Sequence, residues 1–450
     1  MLNIGDILEL NIESSGMDGE GVARHDGQVV FIPYALEGET VKAQIVKINK
    51  KFIFAKVIKV LKPSSMRVKP ACPIFFKCGG CDMQHIDYEH QLNIKRRNVQ
   101  SCLDKAHVDA SVAPTVPSPK VLAYRNKAQV PIAATSGYAC AGYYRSGTHD
   151  IVPFPSEGCA LHDKATNDIL AALTEVINEQ NISVYDETSG KGVIRHAVVR
   201  RGDDCYAVTV VVNSDTLPHA DKFKQKLQDL GVPISLSVNI NKADTNVILG
   251  KSTRYLYGDG DIICNICGVK ASVSPQSFMQ INDDICAAIY TRVAQFVNEC
   301  RPDAVVDAYG GIGVISNLIA PYCKSVKCIE IVPSAIADGK RLAAANGNSN
   351  IIDNVLGDCA EVITRTPPDE NTLVILDPPR KGCDKAVLDA IVASKCRYVA
   401  YISCNPATLA RDLAILATAY KVSSVTPYDM FPMTKHVETL CLLEKGCKYS

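Results

Sequence analysis

The motif Ser403-Cys404-Asn405-Pro406 closes the apolar run 397–402, so a thiol stands where a buried strand leaves the core and the chain turns into a helix. A thiol at such a turn can act as a nucleophile, whereas a lone cysteine elsewhere reads as an inert packing residue. Downstream, His436-Val437-Glu438-Thr439-Leu440 sets a carboxylate inside an otherwise apolar strand. The alternative for Glu438 is a core carboxylate satisfied by its neighbours. Cysteine and sequestered carboxylate together point to covalent catalysis with a proton transfer. Nearer the start, Cys72, Cys78 and Cys81 surround Gly79 and Gly80, a spacing that reads as three metal ligands. Thiolates suit tetrahedral zinc and an iron-sulfur cubane alike, and the spacing does not choose between them. Cys264-x2-Cys267 is a rival pair, on an alternating strand where both thiols can simply pack.

A second group of residues reads as a cofactor site. Tyr309-Gly310-Gly311-Ile312-Gly313 follows a strand ending at Asp307 and opens a helix, which lets backbone approach a ligand closely. It is not the full G-x-G-x-x-G, so a dinucleotide is disfavoured against S-adenosylmethionine. Glu330 ends the next strand, where a carboxylate can accept both hydroxyls of an adenosine ribose. Asp358, in Leu356-Gly357-Asp358, is placed either to reach the adenine edge or simply to sit in a surface turn. Asp377-Pro378-Pro379-Arg380 carries arginine where amino-directed methyltransferases carry an aromatic residue to stack on the base. An exocyclic amine is therefore a poor target, and Cys404 on the next strand favours chemistry at a ring carbon.

These motifs need a scaffold. From about residue 275, apolar runs at 304–308, 325–330, 373–377 and 398–402 alternate with helical segments near 334–345 and 407–417. Such runs are parallel strands covered on both faces, so a doubly wound α/β sheet of the Rossmann type is expected over 271–450. Residues 1–62 read as short strands at 7–12, 27–33, 39–46 and 52–58, hence a small β-barrel. From Val41 to Pro70 the chain carries eight lysines and Arg67 with no acidic residue. Interleaved with Phe52 and Phe54, these cations suit a phosphate-tracking surface with stacking platforms, the alternative being a merely solvated face. The span 63–270 is a mixed α+β region with a helix expected over 86–103. In it Arg125 and the Arg195-His196 pair stand beside strands where they can touch a phosphate, if they are not merely surface cations.

At 450 residues and 47% hydrophobic, the chain can bury several cores. Its formal net charge is zero, so nucleic-acid binding must come from local patches. Nineteen cysteines would mean a disulfide framework in a small secreted protein, but the start carries neither a basic nor an apolar leader segment. Reduced thiols and a cytoplasmic location are expected. No run approaches eighteen consecutive apolar residues, so no membrane contact is expected.

Taken in order, these motifs resemble the RNA uracil-5-methyltransferase family across most of the chain. The N-terminal strands resemble its TRAM domain, and the cysteine motif its iron-sulfur motif. The glycine turn, Asp377-Pro378-Pro379-Arg380, Ser403-Cys404-Asn405-Pro406 and His436-Val437-Glu438-Thr439 resemble its catalytic blocks. The resemblance implies that Gln280, Tyr309, Gly310, Glu330, Asp358 and Asp377 hold S-adenosylmethionine and that Phe278 stacks on the target base, with Arg125 assigned to the RNA. It makes Cys159 the fourth ligand of a [4Fe-4S] cluster. It also implies that Cys404 adds to uracil C6 and that Glu438 removes the C5 proton. A monomer acting on RNA rather than DNA, with 23S ribosomal RNA favoured over transfer RNA, completes the expectation. A radical enzyme using the same cofactor would need C-x3-C-x2-C, and the spacing here is five then two. Cytosine-5 methylation and a non-catalytic RNA-binding protein of the same fold are the remaining rivals.

Overall fold

The computed structural model describes residues 2–16, 19–258 and 260–446. Met1, Cys447 and the last three residues of the expected C-terminal domain lie outside them. The described residues form two seven-stranded sheets, a six-stranded sheet and a hairpin.

The N-terminal sheet is six-stranded, and its inward residues Leu10, Val30, Ile32, Val41, Ile45 and Ile53 form one buried cluster. Alternation along Phe52–Lys62 turns Ile53 and Ala55 inward and leaves Phe52 and Phe54 on the outer face. The strand Gly21–His25 was not expected, because Gly, Arg and His within five residues erase the alternating pattern. Phe31 lies within 5.8 Å of Phe52 and 5.7 Å of Phe54, so three rings cluster on that face. Lys47 pairs across from Phe54.

The central seven-stranded sheet packs one face on the helices Lys164–Glu179 and Ala220–Gln228 through a core that includes Val199, Val210, Leu236 and Val238. The helix expected over 86–103 spans Tyr88–Lys105, because Asp87 caps it by accepting the His90 N–H at 3.1 Å. The hairpin Ile262–Ile266/Val269–Val273 buries its inner side chains in the core of the C-terminal sheet, so residue 270 falls inside one supersecondary unit. Cys264 is buried on that hairpin, whereas Cys267 sits exposed at its turn with φ +54°, so of the two thiols expected to pack only Cys264 does.

In the C-terminal sheet the strands run in the order Ile352–Leu356, Ser325–Glu330, Ala304–Ala308, Thr372–Leu376, Tyr398–Ser403, Glu438–Lys445, Tyr420–Tyr428. The first five are parallel and Glu438–Lys445 is antiparallel to both its neighbours. Helices cover both faces: Asp283–Cys300 lies on one, and Lys385–Ala393 and Pro406–Leu416 on the other. The strand order reverses between Ala304–Ala308 and Thr372–Leu376, which opens a crevice at their carboxyl ends. No helix among the described residues is long and apolar enough to cross a membrane.

Candidate active site

Every parallel strand delivers its last residues to one edge of the sheet, and there the expected site residues gather. After Ala304–Ala308 come Tyr309 and the glycines, with Tyr309 at φ +64°. A side chain on Gly310 would strike Cys328 Sγ, so the bare backbone there is required. Glu330 ends its strand and accepts three backbone N–H groups, from Gly311 at 3.1 Å, Ile331 at 2.8 Å and Val332 at 2.9 Å. Both its oxygens are thereby fixed beside the glycine turn.

Cys404 follows the strand Tyr398–Ser403, and local bonds shape its turn. Asn405 N–H donates to Ser403 Oγ at 3.2 Å, Asn405 Oδ1 accepts from Ala407 N–H at 3.1 Å, and Pro406 opens the helix Pro406–Leu416. Asn405 Nδ2 donates to the Arg380 carbonyl at 3.2 Å and ties the Asp377-Pro378-Pro379-Arg380 turn to the cysteine turn. Glu438 arrives from the opposite direction. Because Glu438–Lys445 is antiparallel and pairs Thr439 with Ser403, its first residue lies at the edge where its neighbour ends, beside Cys404.

Two chambers meet here. One, of about 240 Å³, lies beneath the glycine turn and is lined by Asp307, Gly310, Ile312 and Ser334 among others. The other, of about 620 Å³, is lined by Asp358, Arg380, Cys404, Phe431, His436 and Glu438 among others. Phe278, Gln280, Tyr309, Gly311, Glu330 and Asp377 line both. Phe278 is 73% exposed. Asp358 caps the helix Cys359–Arg365 through one carboxylate oxygen, so it serves a structural end and the chamber wall at once.

The electrostatics are those of buried acids set close together. Burial and then the Asp307 charge push Asp377 up to about 7, and burial pushes Asp307 up to about 6 against its 2.6 Å bond from Ser316 Oγ. Glu438 is 3% exposed, and burial followed by Asp377 raises it well above the ordinary carboxylate range, with Arg380 opposing. Burial, then Glu438, push the Cys404 thiol up to about 11, and Arg380 again pulls the other way. Asp307 Oδ1 is buried without a partner.

The four cysteines expected to act together also share a cavity: Cys72, Cys78, Cys81 and Cys159 line it with Phe75, Tyr143 and Phe154. Burial pushes Cys81 up to about 12 and Cys159 up to about 11, and the neighbouring thiols add to both shifts. Among the described residues no three His, Cys, Asp or Glu side chains converge as the ligands of a single ion would. Arg125 belongs to this group and does not line the chamber of Cys404. Its charge acts on Cys81 and Cys159, and its backbone bridges to His162 and Asn282. Arg195 donates to the carbonyls of Asn241 and Ala243 and covers the Tyr185 ring.

Residues 369–446 match the family described as tRNA (Uracil-5-)-methyltransferase, and residues 2–58 match the TRAM domain. The chain is 37% identical to an uncharacterised RNA methyltransferase of Halalkalibacterium halodurans over 98% of both chains. The chain belongs to the RNA uracil-5-methyltransferase family. Another relative in this RNA methyltransferase family, from Oceanobacillus iheyensis, is 36% identical over 100% of this chain and 98% of its own. Among solved structures, the Pyrococcus abyssi tRNA (uracil-54, C5)-methyltransferase in complex with S-adenosyl-L-homocysteine aligns with a TM-score of 0.78 and 25% identity, covering 97% of this chain and 99% of that one.

Some residues of the site carried no legible role in the sequence. Phe431 has no motif around it, and its placement depends on contacts with a distant part of the chain. Arg380 was informative only as the missing aromatic residue, yet it is the cation nearest in effect to both Cys404 and Glu438. His436 was visible two residues before Glu438, and its place in the chamber wall follows from that spacing.

Proposed function

We propose that this chain methylates C5 of uridine in structured RNA, with Cys404 as nucleophile and Glu438 as base. The observation that carries the reading is the antiparallel register that brings these two residues to adjacent strand ends in one chamber. Cys404 Sγ adds to uracil C6, and the C5–C6 π electrons move to give the enolate of C4 and O4. S-adenosylmethionine, when bound, supplies the methyl group to C5. Glu438 then takes the C5 proton, and the released electron pair restores the C5–C6 double bond as the Cys404 thiolate leaves. Gln280, Tyr309, Gly310, Glu330 and Asp377 would hold the donor. The fixed Glu330 carboxylate and the unpartnered Asp307 Oδ1 support that assignment. Burial holds the carboxyls toward their neutral forms, and a bound cation would favour their ionised forms. Phe278 is assigned to stacking on the target base, which must leave its own stack to reach Cys404.

From the resemblance, and with the four thiols lining one cavity, we read Cys72, Cys78, Cys81 and Cys159 as the residues that would hold a [4Fe-4S] cluster. Its work in this reading is structural, because methyl transfer needs no electron. Arg125 lies against this pocket, so a direct RNA contact is assigned to it only from the resemblance.

For substrate, 23S ribosomal RNA is the first reading and rests on the resemblance. The full-length likeness to a transfer RNA enzyme favours transfer RNA as the second. Tritium release from RNA labelled at uridine C5, with undermethylated ribosomal and transfer RNA as alternative substrates, separates them. Cys404→Ala is expected to abolish release and Glu438→Gln to accumulate a covalent protein–RNA adduct; undiminished release by the Cys404 variant would overturn the mechanism.

A further inference from the structure

Residues 429–437 connect the strand Tyr420–Tyr428 to Glu438 and contribute Phe431 and His436 to the chamber of Cys404. This connector is irregular, and Met433 within it is left-handed at φ +68°. Its shape is imposed by the segment that follows the cysteine motif. Asp82 and Met83, directly after Cys81, both donate backbone N–H to the Met433 carbonyl, at 3.1 and 3.0 Å. Lys435 N–H donates to the Asp82 carboxylate at 3.3 Å, and Met433 N–H donates to Gln91 Oε1 at 3.1 Å. Gln91 is itself fully buried and fixed by donating to the Ile86 carbonyl at 2.8 Å. On the other side, Gln84 Nε2 donates to Cys81 Sγ at 3.2 Å and Gln84 Oε1 accepts from Cys72 N–H at 2.9 Å. Met433 and Ile281, one from each loop bordering the chamber, pack against the buried group that contains Cys81. The thiol pocket and the reaction chamber are therefore backed by the same side chains.

We infer that Asp82 and Gln91 are positioning residues for proton removal: they hold 429–437 so that Glu438 faces Cys404, and through them the condition of the thiol pocket reaches the base. This rests on the function proposed above and goes beyond a purely structural role for the cysteine motif.

The test uses the full chain with its iron content measured. Asp82→Ala removes the acceptor for Lys435, Asp82→Asn restores one, and Gln91→Ala breaks the second tie independently. Each is assayed for kcat and KM with RNA, and for denaturant-stable protein–RNA adduct. Both alanine variants are expected to keep iron and KM, to lose about 10- to 100-fold in kcat, and to accumulate adduct. Asp82→Asn should return toward the parent, and Cys78→Ser should also build up adduct. A rise in KM with kcat intact, or a fall in kcat without adduct, overturns the inference; adduct resolved at the parent rate in Cys78→Ser overturns the link to the thiol pocket. Glu438→Gln is run beside them. If that variant also forms no adduct and Cys404→Ala still turns over, the underlying mechanism fails instead.

Discussion

At the scale of single residues the site is a balance between burial and one cation. To add to a ring carbon as proposed, Cys404 must be a thiolate, yet burial, Glu438 and Asp377 all push its thiol up, while Arg380 and the Cys404 backbone N–H pull it down. Arg380 and His436 line both the main chamber and a second cavity of about 250 Å³ on the other side of Cys404. In the RNA-free protein, alkylation of Cys404 should therefore accelerate with pH up toward about 11, its tenfold loss per unit below that reflecting the thiolate fraction. Arg380→Met should shift the profile to higher pH and Arg380→Lys should shift it less, as read by mass spectrometry of the modified cysteine. An unchanged profile in Arg380→Met would remove the arginine from this role. Cys404 itself was legible in the sequence because the run before it and Asn405-Pro406 after it specify strand, turn and helix start locally. The Arg380 influence was not legible, since it depends on how two separate turns are tied together.

At the scale of elements, the helix Tyr88–Lys105 docks on the C-terminal sheet through a buried ion pair. Lys95 Nζ donates to Asp429 Oδ1 at 2.5 Å and to the Phe431 carbonyl at 3.0 Å, and neither side chain is exposed. Removing one partner leaves an uncompensated buried charge. Lys95→Ala should cost about 3–5 kcal/mol of stability in denaturant titration, and Lys95→Met with Asp429→Leu should recover most of it. Four of the five parallel strands could be read from their apolar runs with ends displaced by at most one residue, and Ile352–Leu356, with Asp353 and Asn354 inside it, could not. The insertion of Glu438–Lys445 between Tyr398–Ser403 and Tyr420–Tyr428 could not, because an apolar run states that it is buried and not which strand lies beside it. That unreadable pairing is what brings Cys404 and Glu438 together. The contact between 82–91 and 429–437 was equally hidden, for it spans most of the chain.

At the scale of the whole molecule, a neutral chain must recognise a polyanion through local charge. The TRAM sheet concentrates that charge: Phe31, Phe52 and Phe54 cluster on its outer face with Lys47 paired beside Phe54. Phe52→Ala with Phe54→Ala should weaken RNA binding by about 1–3 kcal/mol per stacked base, and Lys47→Gln should lower the salt dependence by about one phosphate contact. Filter binding across a salt series reads both; an affinity untouched by the double aromatic change would leave this face merely solvated. The lysine run and its two phenylalanines were visible in the sequence. Phe31 was not grouped with them, because its place comes from the parallel pairing of Gln28–Ile32 with Phe52–Lys62.

The two chambers share part of their lining and so lie side by side. A single compound bearing an adenosine-like head and a pyrimidine-like tail could fill both at once. Its second half would then bind at the effective concentration set by its linker and not by bulk solution. Such a compound would exclude donor and acceptor together, and rising levels of either alone would displace it only in part.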